Sequence, residues 1–153
     1  MKYLFIIKFL LSIFIQSTAY GQTQEKSTRF TIKSNFSFTD TENKLKKILS
    51  EKNISIFAEI DHTKEAENIG QKLPSIKVFI VGNPKTGTPI MQENPQAAIE
   101  LPLKIMIYDD DKNTWISYKT ITNLTTLYSV DKNKNRLKSI DENMINMIKS
   151  ISQ

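Results

Sequence analysis

Two short segments carry the residues that could do chemistry: Asp61-His62, and Gly82-Asn83-Pro84-Lys85-Thr86-Gly87-Thr88-Pro89. His62 is the only histidine of the chain. Its imidazole is the side chain whose ordinary charge change falls between about pH 5 and 8, which suits ligand binding or general acid–base work. The structural alternative is a histidine that caps a helix beginning near Thr63 or steadies the loop. Neighbouring residues of a strand point to opposite faces, so Asp61 is not the direct partner of His62. In the second segment Gly82, Asn83, Lys85, Gly87 and Thr88 are candidate ligand-binding residues. Glycine there admits close approach and unusual dihedrals, and successive amides could form a nest for an anion or another small ligand. The alternative is a tight loop whose Asn83 and Thr88 satisfy its own amides and carbonyls. The segment has neither the Gly-Lys-Ser/Thr end of a P-loop nor the spacing of a dinucleotide fingerprint.

The rest of the inventory is mostly exclusion. The chain has no cysteine, which removes disulfides, thiol nucleophiles, zinc ribbons and cysteine-ligated clusters. One histidine leaves no multi-histidine metal site within a subunit, although pairing two chains would bring two His62 side chains together. Asp109, Asp111 and Asn113 echo the opening of a calcium loop, but Thr114 stands where that loop needs glycine and Thr120 where it needs glutamate. A solvated hairpin turn is the better reading. No nucleophile, paired catalytic carboxylates or cofactor motif is present, so no cofactor and no metal are expected.

The chain has 153 residues and a formal charge of +5, too weak a balance to argue for nucleic acid. Lys2 and Lys8 precede the apolar run from Phe9 to Ile15, and Ala19-Tyr20-Gly21 follows with small residues where a signal peptidase reads them. Residues 1–21 are therefore expected to be a cleaved secretory leader, which places the mature protein in the periplasm or outside the cell. The apolar stretch is too short for a membrane span, which needs roughly 20 residues. Residues 22–28 then form a linker and 29–153 one domain, a size that suits a single core.

The elements that must position the candidates follow from periodicity. Phe30, Ile32, Phe36 and Phe38 alternate over Arg29 to Phe38, as in a strand. Thr39 and Glu42 have capping-box spacing ahead of a helix whose Leu45, Ile48 and Leu49 make one apolar stripe. Ile54, Ile56, Ala58 and Ile60 alternate in a second strand, and Asp61-His62 closes it. A short helix ends near Gly70, a residue suited to the left-handed position past a helix end. Ile76 to Val81 reads as a central strand buried on both faces. The link from His62 to Ser75 is long enough to cross between parallel neighbours, which would bring Asp61-His62 and Gly82-Asn83 to one edge of the sheet. Asn94 caps a helical turn opened by Pro95, and Leu103–Asp109 with Thr114–Lys119 make a hairpin. Trp115 and Tyr118 fall on opposite faces of its second strand. A helix from Leu137, with Ile140, Met144, Met147, Ile148 and Ile151 in register, covers the sheet and is assigned to the core rather than to a membrane surface. The order is strand, helix, four strands, helix: an α+β fold with a single sheet covered on one face by helices.

A set of segments also matches a known pattern. Phe57-Ala-Glu-Ile-Asp61-His62, Ala66, Gly70-Gln-Lys-Leu73-Pro74, Val81-Gly-Asn-Pro84-Lys85-x-Gly87-Thr88-Pro89-Ile-Met91, Ala98-Ile-Glu-Leu101-Pro102-Leu-Lys104 and Trp115-Ile-Ser-Tyr118 occur in order. The chain resembles domain of unknown function family 302 over roughly residues 30 to 130, with Val81 where a phenylalanine is usual. The resemblance implies the same strand and helix order and implies no biochemical activity. All five prolines and three of the four glycines lie between positions 70 and 102, all but Pro95 within these segments. The leading expectation is an exported accessory domain that binds a small ligand or a partner protein near Asp61-His62 and Gly82-Asn83-Pro84. The alternatives are an enzyme using His62 as acid or base beside Asp61 or Glu59, and a structural or interaction domain.

Overall fold

The computed structural model describes residues 28–153. The leader expected over residues 1–21 and nearly all of the linker lie outside the described residues. Strands β1 (Arg29–Lys33), β2 (Ser55–Asp61), β3 (Ile76–Gly82), β4 (Leu103–Asp109) and β5 (Thr114–Lys119) form one sheet in the order β1-β5-β4-β3-β2. Every neighbouring pair is antiparallel. The helices are α1 (Phe38–Glu51), α2 (His62–Asn68), α3 (Pro84–Glu93), α4 (Leu124–Tyr128) and α5 (Lys134–Ser152), with 3-10 turns at Pro95–Glu100 and Asp131–Asn133. The protein is α+β, as the patterning implied.

Strand alternation puts Phe79, Val81, Ile105, Ile107, Ile116 and Tyr118 on one face, where all are fully buried. The apolar stripes of α1 and α5 close over them: Leu45 and Leu49 from the first, Leu137, Met144, Met147 and Ile148 from the second. Burying one such side chain contributes about 1.5–3 kcal/mol. Tyr118 is inside this layer and Trp115 on the opposite face, as the spacing required.

Several boundaries differ from the periodicity. β1 stops at Lys33, and Ser34 beyond it is buried, with its hydroxyl 2.7 Å from that of Thr41. The cap of α1 is Ser37 rather than Thr39: its hydroxyl accepts from the Asp40 amide at 3.2 Å and donates to the Asp40 carboxylate at 2.7 Å. Glu42 is thereby released to pair with Lys46 and Lys77. In β2 the register slips at Phe57, so the expected single apolar face of Ile56, Ala58 and Ile60 is broken. Past this bulge Glu59 and Asp61 turn toward α1, while Ala58 and Ile60 turn outward.

The expected parallel crossover between β2 and β3 is not formed. Asp61 caps α2 by accepting from the Lys64 amide at 3.0 Å. Gly70, at φ 72, ends the short helix, and the Gly70 and Gln71 amides return to Glu67 and Ala66. The Thr63 hydroxyl then donates to the Pro74 carbonyl and accepts from the Ile76 amide, both at 2.8 Å. These bonds fasten the start of β3 to the start of α2, so the link reverses on the spot instead of crossing a sheet face.

The segment expected to be a loop over Gly82–Pro89 is mostly helix. Asn83 is its cap, accepting from the Lys85 amide at 2.9 Å, and Pro84 occupies the first turn, where its missing N–H costs nothing. Pro89 lies inside α3 and forfeits one helical bond. The Pro89 carbonyl, a separate group, accepts from Asn133 Nδ2 at 3.1 Å.

One buried carboxylate joins the end of the sheet to the last helix. Asp141 of α5 accepts from Tyr118 Oη at 2.7 Å, from the Ile121 amide at 3.0 Å, from the Thr122 amide at 2.9 Å and from the Thr122 hydroxyl. Burial pushes the Tyr118 phenol far above its ordinary value, and the Asp141 charge beside it adds to that, so Tyr118 remains a donor. We expect Asp141→Ala to lower the unfolding free energy by about 3 kcal/mol, because several inward donors lose their acceptor together. Asp141→Asn, which keeps one acceptor, should lose less. Urea denaturation reads both, and a loss below about 1 kcal/mol for the alanine variant would contradict this role.

Candidate functional site

The antiparallel pairing separates the two candidate segments. Ser55 pairs with Gly82 and Asp61 with Lys77, so Asp61-His62 and Gly82-Asn83 lie at opposite ends of β2 and β3, about 20 Å apart along the strands. The single site expected from both segments is therefore two places with different characters.

At the first place Asp61 is committed to structure. Besides capping α2 it lies 3.5 Å from Lys77 Nζ. Lys77 is 3.0 Å from Glu42, Glu42 is 2.8 Å from Lys46, and Lys46 is 2.8 Å from Glu59. His62 is an exposed first residue of α2, and none of the three main clefts among the described residues is lined by it or by Asp61.

At the second place there is a cleft of about 320 Å³. One wall is α3, with Pro84, Thr86, Gly87, Ile90 and Met91; the other is the turn into β4, with Leu101 and Pro102. Leu103, Ile121 and Ile140 reach it from the core side. Phe57, carried outward by the bulge and 53% exposed, stands at its mouth. The volume is at the small end of ligand pockets, which run from roughly 300 to 1,000 Å³. Among the described residues the lining is almost wholly apolar: no ionisable side chain contributes, and the polar groups are Asn83, Thr86 and Thr88.

The two glycines act here through space rather than dihedral angle. A Cβ on Gly82 would come within 3.1 Å of the Phe57 ring and 3.6 Å of Pro102 Cβ, so glycine lets the bulged aromatic close against the strand. At Gly87 a Cβ would meet only Leu101 Cδ1, at 3.8 Å, and would extend into the cleft. The amides expected to form an anion nest are used within the fold: Lys85 N bonds the Asn83 side chain, and Thr86 N and Gly87 N bond the Asn83 carbonyl. Asn83 Nδ2 donates to the Asn53 carbonyl at 3.2 Å. Of the predicted set, Gly82, Asn83, Gly87 and Thr88 come together at the cleft, and Lys85 is on the exposed side of α3.

The walls are held by bonds remote from the lining. Glu93, at the end of α3, accepts from the Lys132 amide at 2.9 Å and from Asn133 Nδ2 at 2.7 Å, fixing α3 to the entry of α5. Asp141 holds the Ile121 turn beside Ile140. Ile121 and Ile140 carried no sign in the sequence beyond their hydrophobicity. Phe57 lies within a matching segment, but only the bulge makes it a cleft residue.

The family model described as "Domain of unknown function DUF302" matches residues 30–151. The chain belongs to the DUF302 family. A crystal structure of an uncharacterized conserved DUF302 protein from Bacillus stearothermophilus has the same fold, with a TM-score of 0.65 and 18% identity, covering 82% of this chain and 95% of that one. Two proteins named fluoride-specific ion channel FluC 1, from Brucella suis biovar 1 and Brucella abortus biovar 1, are each 26% identical over 88 residues. Those residues are 57% of this DUF302 chain and 35% and 33% of the Brucella proteins, so the chain spans about a third of the curated relatives it matches. Among the described residues no helix is long and apolar enough to cross a membrane.

The charge network beside Asp61 generates a pH prediction. Burial, the largest single influence on Glu42, pushes its carboxyl up, but Lys46 and Lys77 together outweigh it and hold the group below the usual carboxylate range. The unfolded chain therefore takes up the proton first: this stabilisation is present above roughly pH 4.3 and is lost as pH falls through the lower folded value. Glu42→Gln should cost about 1 kcal/mol at neutral pH and flatten the acid limb of stability, read as urea midpoints across pH. Parallel acid limbs in the two proteins would contradict the assignment.

Proposed function

We propose that this DUF302 chain is a non-catalytic binding module that takes the apolar part of a small molecule into the cleft between α3 and the Leu101–Pro102 turn. The observation that carries this reading is the lining: an apolar cleft with no ionisable side chain among the described residues that form it. Burying each methylene there contributes about 0.8 kcal/mol, which is enough for binding of a short chain or ring without any charged contact. Thr86, Thr88 and Asn83 at the rim would orient a polar end. An accessory role also fits the Brucella proteins, in which the similar segment is about a third of a chain named for another activity. Export is part of the same proposal, supported by Lys2 and Lys8 ahead of the apolar run to Ile15. The mass of protein recovered from cells reads it: a chain beginning at Gln22 supports export, and an intact Met1 opposes it.

The cleft is tested with N-phenylnaphthylamine, an uncharged fluorophore that brightens in apolar surroundings. Wild type should show saturable enhancement, and Gly87→Phe, which places a ring in the cleft, should weaken it about tenfold, or ~1.4 kcal/mol, with thermal stability retained. His62→Ala should leave the titration unchanged. Equal titrations for wild type and Gly87→Phe would rule out the cleft.

A further inference from the structure

The sheet face turned away from α1 and α5 has an uneven composition. Pairing register places Arg29, Lys119 and Lys104 side by side on β1, β5 and β4 on this outward face. Lys33 lies two positions beyond Thr31 on the same side of β1, opposite Trp115. Like charges directly across strands repel, so cross-strand pairing does not account for this row. Among the described residues no outward strand position carries a carboxylate. From the flanking segments Glu100 bonds Lys119 at 2.6 Å and Asp110 accepts from Trp115 Nε1 at 2.7 Å, which leaves the face net cationic.

The other half of the face is apolar. Val78, Ile80 and Met106 are partly exposed there, and Ile60 is 40% exposed. Beyond Ile80 and Lys104 the next outward row is Gly82 with Pro102, about 7 Å on, with Phe57 against Gly82. The apolar half therefore runs into the mouth of the cleft.

We infer that this outward face docks on an anionic lipid surface, an inference that rests on the apolar-ligand reading of the cleft. A lipid surface presents a plane of anionic headgroups to the cation row, and acyl chains to the apolar half and the cleft beside it. A second copy of the chain would bring the same cations and no strand carboxylate. An acidic polypeptide would match the cations but leave the apolar passage to the cleft without a role.

Trp115 is the sole tryptophan of the chain and reports on this face directly. With the full chain, vesicles of phosphatidylcholine mixed with phosphatidylglycerol should shift Trp115 emission to the blue, and phosphatidylcholine alone should not. Added salt should weaken the effect. Lys33→Gln combined with Lys104→Gln, both exposed, should raise the lipid needed for half the shift by roughly tenfold or more. Absence of the shift, an equal shift in the double variant, or a shift with polyglutamate but not with vesicles would each overturn the inference. N-phenylnaphthylamine uptake, measured in parallel, separates the two claims. Uptake without a vesicle shift sinks the docking face alone, and a vesicle shift without uptake supports the face while sinking the cleft.

Discussion

The Asp141 carboxylate is the constraint on which the geometry of this fold most depends. It is buried, it belongs to the last helix, and the groups it accepts from lie at and just past the end of β5. A charge taken out of water is costly unless its lone pairs are met, and here Tyr118, Ile121 and Thr122 meet them together. The same bonds set the turn at Ile121 against Ile140, so the core-side lining of the cleft follows from an interaction that does not itself touch the cleft. The Glu93–Asn133 contact does the equivalent for the opposite wall by tying α3 to the entry of α5.

This arrangement separates two kinds of chemistry. The charged groups near His62 are paired with one another across α1, β2 and β3, where they hold an edge of the sheet. The apolar cleft at the other end of the same strands is lined by no ionisable group among the described residues. Asp61 caps a helix and faces Lys77. The bulge at Phe57 serves both ends. It turns Glu59 and Asp61 inward to the lysines and sets an aromatic ring at the mouth of the cleft, which Gly82 makes room for.

Local patterning made most of the fold legible. The alternation of Leu103–Asp109 and Thr114–Lys119, the stripe of Leu45 and Leu49, the Asn94-Pro95 turn and the stop at Gly70 are all present where their residue types demand them. Direction of pairing was not legible, because Thr63 and Gly70 turn a link long enough for a crossover into a tight reversal. Nor was α3, since glycine and proline alternate there and only the Asn83 cap with Pro84 behind it lets the helix begin. Half of the site followed from Gly82 and Asn83, and half was hidden. Ile121 and Ile140 are remote in sequence and brought to the cleft by a carboxylate whose partners are tertiary.

The central claim, that the cleft takes an apolar ligand, is tested most directly by methyl resonances of isoleucine-labelled protein titrated with N-phenylnaphthylamine. Progressive, saturable shifts are expected at Ile90, Ile121 and Ile140, with Ile32 of β1 and Ile107 of β4 unmoved. Shifts spread evenly over these methyls, or confined to those outside the cleft, would contradict it.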